Sequence, residues 1–240
     1  MDKKIKILVT GATGYIGGRL IPLLLKEGYQ IRAASRSIEK LQSRPWSENP
    51  NVELVAGNFL VQSDVDRMLE GCDVIYYLVH SMVAGQQDFE ESDRISAQHT
   101  VDAAKRFNLS RIIYLGGLGD VESDLSKHLR SRNEVAQIFF ENSVPSTIFR
   151  AAVILGSGGA SFEILRYLVE RLPIMVTPRW LKTPSQPIAI SNVLQYLVCC
   201  LKVPETANGV FDIGGPQVVT YRQMMEAYAK VAGLMKRLII

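Results

Sequence analysis

Cysteine is scarce in these 240 residues, and the three present, Cys72, Cys199 and Cys200, have no spacing that would build a metal site. Cys199 and Cys200 are adjacent in an apolar helical pattern, so their sulfurs face different ways. All three read as small apolar packing residues in a reducing compartment. Long apolar runs are missing too: no stretch reaches the ~18 residues that a membrane-spanning helix needs. The opening "MDKKIKILVT" enters a strand pattern too early to hold a signal peptide, so the expectation is a soluble, cytoplasmic protein. There is no basic run, no interleaving of aromatic with basic residues, and a net charge of only +3, which argues against nucleic acid as a partner. Internal repeats and low-complexity tracts are also absent.

What is present is an ordinary core composition, 47% apolar and 21% charged, over a length that suits one large α/β domain. Short aliphatic runs at 5–9, 30–35, 52–55, 73–78, 111–115 and 145–150 alternate with helical patterns at 15–27, 37–43, 62–70, 87–107 and 126–141. Strands alternating with helices imply a parallel sheet with right-handed crossovers. Runs without polar alternation suit strands covered on both faces. The fold class expected is therefore α/β, a doubly wound parallel sheet of Rossmann type, with a small C-terminal region. After Arg150 the rhythm changes: "GSGGAS" at 156–161 precedes a helix to about Arg171. The stretch 173–188 then holds Pro173, Pro178, Pro184 and Pro187 with Trp180, and reads as loop and short edge strands. A helix at 191–202, a strand at 209–213 and a helix at 220–232 follow. The final "KRLII" looks like a strand just beginning, and further chain downstream is expected.

The first strand runs into "TGATGYIGG", where Gly11, Gly14 and Gly17 stand in a G-x-x-G-x-x-G spacing at the start of a helix. In that setting the first glycine permits a tight turn, the second lets the backbone approach a pyrophosphate, and the third allows close helix–strand packing. The helix N-terminus, with Thr13, Tyr15 and Ile16 in the turn, offers unpaired N–H groups to phosphate oxygens. A nucleoside-triphosphate loop would continue Lys-Ser/Thr, whereas this one continues Gly18-Arg19. The second strand ends in Ser35-Arg36-Ser37, with no acid where the ribose hydroxyls of NAD would be held. A guanidinium beside two hydroxyls suits a 2′-phosphate, with Lys40 one turn further on, so NADP is favoured over NAD. Asn58 and Phe59 follow the third strand, where an adenine edge would lie, and Leu78, Val79 and His80 end the fourth. On this reading 1–150 is a dinucleotide-binding domain and 151–240 the substrate-side part of the same fold.

These pieces together resemble an atypical or extended short-chain dehydrogenase/reductase. The pattern rests on "TGATGYIG", "GNF" after the third strand, "AAVILG" at 151–156 and "QPIAISNV" at 186–193. The similarity lies nearest the NmrA-like and complex-I-subunit-like branch, whose members carry labels such as NAD(P)-binding or nucleoside-diphosphate-sugar epimerase. In catalytic members of the family a Tyr stands four residues before a Lys on the helix after the fifth strand, with a Ser at that strand's end. Here Gly116 and Gly117 occupy the Ser region, and the pair at the right spacing is His128 and Arg132. His128 can act as acid or base near neutrality, while Arg132 cannot deprotonate but can hold ribose or phosphate. Tyr114 lies inside the strand and is expected in the core. Asp88, Glu90, Glu91 and Asp93 form an acidic helix start that reads as dipole-complementing and solvated. Two functions remain open: an NADP-dependent reductase or epimerase of a small molecule, or a non-catalytic dinucleotide-binding redox sensor or assembly module acting on a protein partner.

Overall fold

The computed structural model describes residues 4–79, 89–119, 127–172, 174–175, 179–234 and 238–239. Strands and helices alternate from the start: β1 (Lys6–Val9), α1 (Gly17–Lys26), β2 (Gln30–Ser35), α2 (Ile38–Gln42), β3 (Val52–Ala56), α3 (Gln62–Leu69), β4 (Val74–Tyr77), α4 (Phe89–Arg106), β5 (Arg111–Gly117), α5 (Lys127–Phe140) and β6 (Ser146–Ala151). Next come β7 (Ile154–Leu155), α6 (Ala160–Arg171), β8 (Ile174–Met175), β9 (Pro184–Ser185), β10 (Ile188–Ala189), α7 (Ile190–Cys199), β11 (Gly209–Ile213), β12 (Val219–Thr220), α8 (Tyr221–Val231) and β13 (Leu238–Ile239).

Seven strands form one parallel sheet in the order β11-β6-β5-β4-β1-β2-β3. The chain order reverses between β1 and β4, and open α/β sheets bind ligands beyond the carboxyl ends of strands at such a switch point. Val9 is in register with Ala33 of β2 on one side and Tyr76 of β4 on the other. Ile7, Leu8 and Val9 are fully buried, as the continuous aliphatic run requires of a strand covered on both faces. The Rossmann-type reading of the sequence is borne out.

The described residues fall into two compact units: one comprises the chain up to Arg150 together with Leu194–Asp212, the other Ala151–Val193 together with the chain from Ile213. In the second unit Leu165, Val169, Leu181, Met224 and Met225 form a separate small core. The described residues of 173–188 form two-residue strands and one 3-10 turn at Arg179–Lys182, and the prolines at 184 and 187 withhold donors a longer ladder would need. Among the described residues no helix is long and apolar enough to cross a membrane.

Three local features position the glycine turn. Pro22 lies inside α1 and cannot donate to the carbonyl of Gly18, four residues earlier. The indole Nε1–H of Trp46 donates to that carbonyl instead, at 3.3 Å. Arg44, from the same segment, donates to the Thr13 carbonyl. Beneath the sheet, Arg32 of β2 is 9% exposed and donates to the carbonyls of Met68 at 2.9 Å and Glu70 at 2.7 Å. It thereby caps the last turn of α3, whose carbonyls have no partners within the helix.

Two expectations from the sequence need correction. β5 extends to Gly117, two residues past the expected end at 115, because glycines there leave room for neighbouring side chains. A Cβ on Gly116 would lie 2.9 Å from the Tyr114 ring, and one on Gly117 would lie 2.8 Å from Leu129. Cys199 is exposed while Cys72 and Cys200 are buried, so one of the three cysteines is not a packing residue. The helical step between Cys199 and Cys200 turns one thiol in and the other out.

Candidate functional site

A cleft of about 420 Å³ opens at the carboxyl ends of β1, β2, β3 and β4. Its floor is the turn after β1. Gly11 sits at φ +58°, and a Cβ there would lie 2.8 Å from the Leu78 carbonyl oxygen. A Cβ on Gly17 would lie 2.5 Å from the Gly11 carbonyl oxygen. Side chains are thus excluded from the turn on two sides, which leaves backbone facing the cleft. Thr10 ties the strand ends together: its hydroxyl donates to Tyr76 O at 3.1 Å and accepts from Leu78 N–H at 2.7 Å. That pair of bonds fixes where Leu78 and Val79 meet the cleft.

Of the residues singled out in the sequence, Gly11, Thr13, Gly14, Ser35, Arg36, Ser37, Asn58, Phe59, Leu78 and Val79 line this one cleft, and Lys40 joins them. Tyr15, Ile16 and Gly17 belong to the turn and helix start behind it, with the Arg19 guanidinium 4.2 Å above the Tyr15 ring. His80 lies outside the described residues. At the β2 end, Ser35 Oγ is 3.4 Å from Thr13 Oγ1. Ser37 caps α2, accepting from Lys40 N–H at 3.2 Å and donating to Glu39 at 2.7 Å. That hydrogen bond from Ser37 holds the Glu39 carboxyl below its ordinary range. Asn58 Oδ1 accepts from Leu60 N–H at 3.1 Å, so its amide oxygen is engaged in the loop's own turn. Phe59 is 9% exposed and meets Tyr77 edge-on at 5.7 Å between ring centres.

His128 and Arg132 are not among the residues lining the cleft. His128 is exposed, and its ring stacks on Phe89 at 4.6 Å. Arg132 lies against Gly117, and its carbonyl accepts from the Tyr114 hydroxyl at 3.3 Å. Tyr114 is in the core, as the sequence suggests. Burial drives the Tyr114 hydroxyl far above the usual tyrosine range, with Arg132 opposing and Asp93 reinforcing that effect. Tyr77 is raised likewise, by burial first and the charge of Asp93 second.

The residues that sequence reading missed are Asp93 and Ser96 of α4, which also line the cleft. Asp93 is not a solvated helix-start acid: it is 7% exposed, and Ser131 of α5 donates to its Oδ2 at 2.8 Å. Charge density at the helix start hid this, because helical spacing alone does not tell which acid faces α5. A more open cleft of about 510 Å³ lies between α1 and the turn carrying Trp46, lined largely by apolar groups such as Pro22 and Leu25. It has no comparable set of convergent polar groups.

A family model described as NAD(P)H-binding matches residues 11–165. The chloroplastic divinyl chlorophyllide a 8-vinyl-reductase of Arabidopsis thaliana is 21% identical over 247 residues, covering 96% of this chain and 58% of that protein. The photosystem II assembly factor Ycf39 of Trieres chinensis is 22% identical over 229 residues, covering 95% of this chain and 69% of that protein. This chain therefore spans little more than half the length of the reductase. Among solved structures, UDP-glucuronic acid 4-epimerase from Bacillus cereus, in complex with UDP-glucuronic acid and NAD, superposes with a TM-score of 0.78 at 19% identity over 98% of this chain and 85% of that one. At that identity the likeness establishes the fold.

Proposed function

This chain belongs to the NAD(P)H-binding family, and on that premise we propose that it is an atypical short-chain dehydrogenase/reductase, acting as an NADP(H)-dependent reductase of a small organic molecule. The observation that carries the NADP reading is the charge of the cleft at the end of β2. Arg36 and Lys40 line it beside Ser35 and Ser37, and among the described lining residues no carboxylate stands at that end of β2. A guanidinium and an ammonium favour a phosphomonoester, where an acid would favour free ribose hydroxyls.

The excluded-side-chain cradle at Gly11 and Gly17 fits a pyrophosphate. In this assignment Gly11, Thr13, Gly14, Tyr15, Ile16 and Gly17 form the phosphate turn. Ser35, Arg36 and Ser37 face the 2′-phosphate, Asn58 and Phe59 the adenine, and Leu78 and Val79 the ribose beyond. When bound, the reduced nicotinamide supplies a hydride. The chain's own part is to orient the dinucleotide and to provide a proton. His128, on α5 outside the described residues that line the cleft, is the candidate for that proton donor, with Arg132 on the same helix face as the candidate anion or ribose ligand. Tyr114 is unsuited to the role, since it is buried and its hydroxyl already donates to the Arg132 carbonyl.

A second reading is a dinucleotide-dependent assembly or regulatory module with no turnover. It is favoured by Gly116 and Gly117, which offer no hydroxyl at the end of β5, and by the name of the Ycf39 relative. The two free buried thiols suit a reducing compartment under either reading, and the cytoplasm is the location proposed. The test is NADPH oxidation by the full-length protein against a panel of enones, enals and ketones. Turnover that falls at least about tenfold in His128→Ala, with cofactor affinity retained, supports the reductase. Tight NADPH binding with no oxidation of any member supports the module.

A further inference from the structure

The open cleft between α1 and the turn carrying Trp46, about 510 Å³, shares no lining residue with the dinucleotide cleft. Its volume falls within the roughly 300–1,000 Å³ of small-molecule sites. Pro22, Leu25, Pro45 and Trp46 make its apolar wall. Two of these are prolines, whose rings fix the backbone, and Trp46 is buried and tethered through its indole to the Gly18 carbonyl. Such a wall is ordered before any ligand arrives, which lowers the cost of binding.

The polar groups of this cleft are few and of one kind. Lys26 and Arg44 line it, and among the described lining residues no carboxylate does. Neither cation is in an ion pair among the described residues, and Glu27, next to Lys26 in the chain, is engaged by Lys202. Arg44 uses Nη2 on the Thr13 carbonyl, which leaves its other N–H groups to donate. Asn49 accepts from Asn51 N–H at 2.9 Å through its amide oxygen, so its amide N–H groups are left to offer. The Gly18 carbonyl, an acceptor that Pro22 leaves open, is already taken by Trp46. Positive charge and hydrogen-bond donors therefore stand beside an apolar wall, with both of these acceptors occupied.

We propose that this cleft is a ligand site of its own, for a small organic carboxylate with an apolar body. The body lies on Pro22, Leu25, Pro45 and Trp46, and the carboxylate accepts from Arg44, Lys26 and Asn49. Hydrogen bonds from a cation to a carboxylate are roughly twice as strong as those between neutral groups. A neutral analogue with the same body keeps the apolar contact and loses those bonds.

The test is calorimetric titration of the full chain with octanoate and with 1-octanol, at one fixed ionic strength. The wild type is expected to bind octanoate at least about tenfold more tightly than octanol. Lys26→Met, at an exposed position, is expected to weaken octanoate at least about threefold and to leave octanol within about twofold. Arg36→Asp, in the dinucleotide cleft, is expected to leave octanoate binding unchanged. Equal affinities for octanoate and octanol in the wild type, or no binding of octanoate, overturn the proposal without need of a variant. Octanoate binding lost in Arg36→Asp and kept in Lys26→Met places the anion in the other cleft, and overturns it too. So does adsorption to phosphatidylglycerol vesicles that Lys26→Met abolishes, with no binding of free octanoate. NADPH enters no arm of this test, so the proposal and the dinucleotide reading fail separately.

Discussion

The indole N–H of Trp46 donates to the Gly18 carbonyl, the acceptor that Pro22 leaves without its helical partner. The two residues thus act as a compensating pair at the base of the phosphate turn. Trp46→Phe is expected to cost about 1–3 kcal/mol, read from denaturant unfolding, through an orphaned carbonyl and some lost packing. In a Pro22→Ala background, where residue 22 has its own N–H, the same change is expected to cost about 1 kcal/mol less. Additive effects in the double-mutant cycle would contradict the pairing.

Gly17 is closed to any side chain by the Gly11 carbonyl, 2.5 Å from where a Cβ would sit. Gly17→Ala is expected to displace the turn, destabilise the chain by about 1–3 kcal/mol and weaken dinucleotide binding at least tenfold. Gly28 sits at φ +87° with nothing within 4 Å of a Cβ, so Gly28→Ala strains the backbone without touching the cleft. It is expected to lower stability with cofactor affinity unchanged. Calorimetric titration of the two variants separates turn geometry from general instability.

Glu53 pairs with Lys6 at 2.6 Å and with the largely buried Arg32 at 3.0 Å. Partial burial pushes its carboxyl upward, but the bonds from Lys6 and Arg32 outweigh that and hold it below its ordinary value of 4.5. A depressed folded-state value means the contribution is fully present above the unfolded value and is lost as pH falls through the folded one. The Glu53 side chain is 48% exposed, so the contribution is screened. Glu53→Gln is expected to cost about 0.5–1 kcal/mol at neutral pH. The gap from wild type should close as pH falls below the ordinary value of 4.5 and through the depressed folded one, measured by urea unfolding across that range. A gap that persists in acid would show a packing effect rather than a charge effect.

Burial pushes the Cys200 thiol up to about 12 against the opposing Arg111 charge, and raises Cys72 as well. Cys199 is exposed. An aromatic disulfide reagent at mildly alkaline pH is expected to label one thiol rapidly in the folded chain and all three after unfolding. Rapid labelling of Cys200 in the folded state would contradict the packing of the turn at Cys200–Lys202 that follows α7.

The sheet and the phosphate turn were legible because their signals are local. Uninterrupted aliphatic runs, helical spacing between them and glycines at Gly11, Gly14 and Gly17 each follow from a few consecutive residues. Three features were not legible, since each depends on residues far apart in the chain. Trp46 completes a helix begun at Gly17, Arg32 caps α3 from the middle of a strand, and Asp93 is buried by Ser131, 38 residues later. Each places a polar group where a local pattern shows only a core strand, a loop or a solvated helix start. The spacing of His128 and Arg132 was visible, but the contacts that set their surroundings, Phe89 and Gly117, come from other elements.

The central claim is that the cleft at the β1–α1 turn holds NADP through Arg36. The most direct measurement is the ratio of dissociation constants for NADPH and NADH, in the wild type and in Arg36→Asp, at one fixed ionic strength. The wild type is expected to bind NADPH at least about tenfold more tightly, and Arg36→Asp to prefer NADH, as an acid in place of a guanidinium would dictate. Equal affinities in the wild type, or a preference that Arg36→Asp leaves unchanged, would contradict the account.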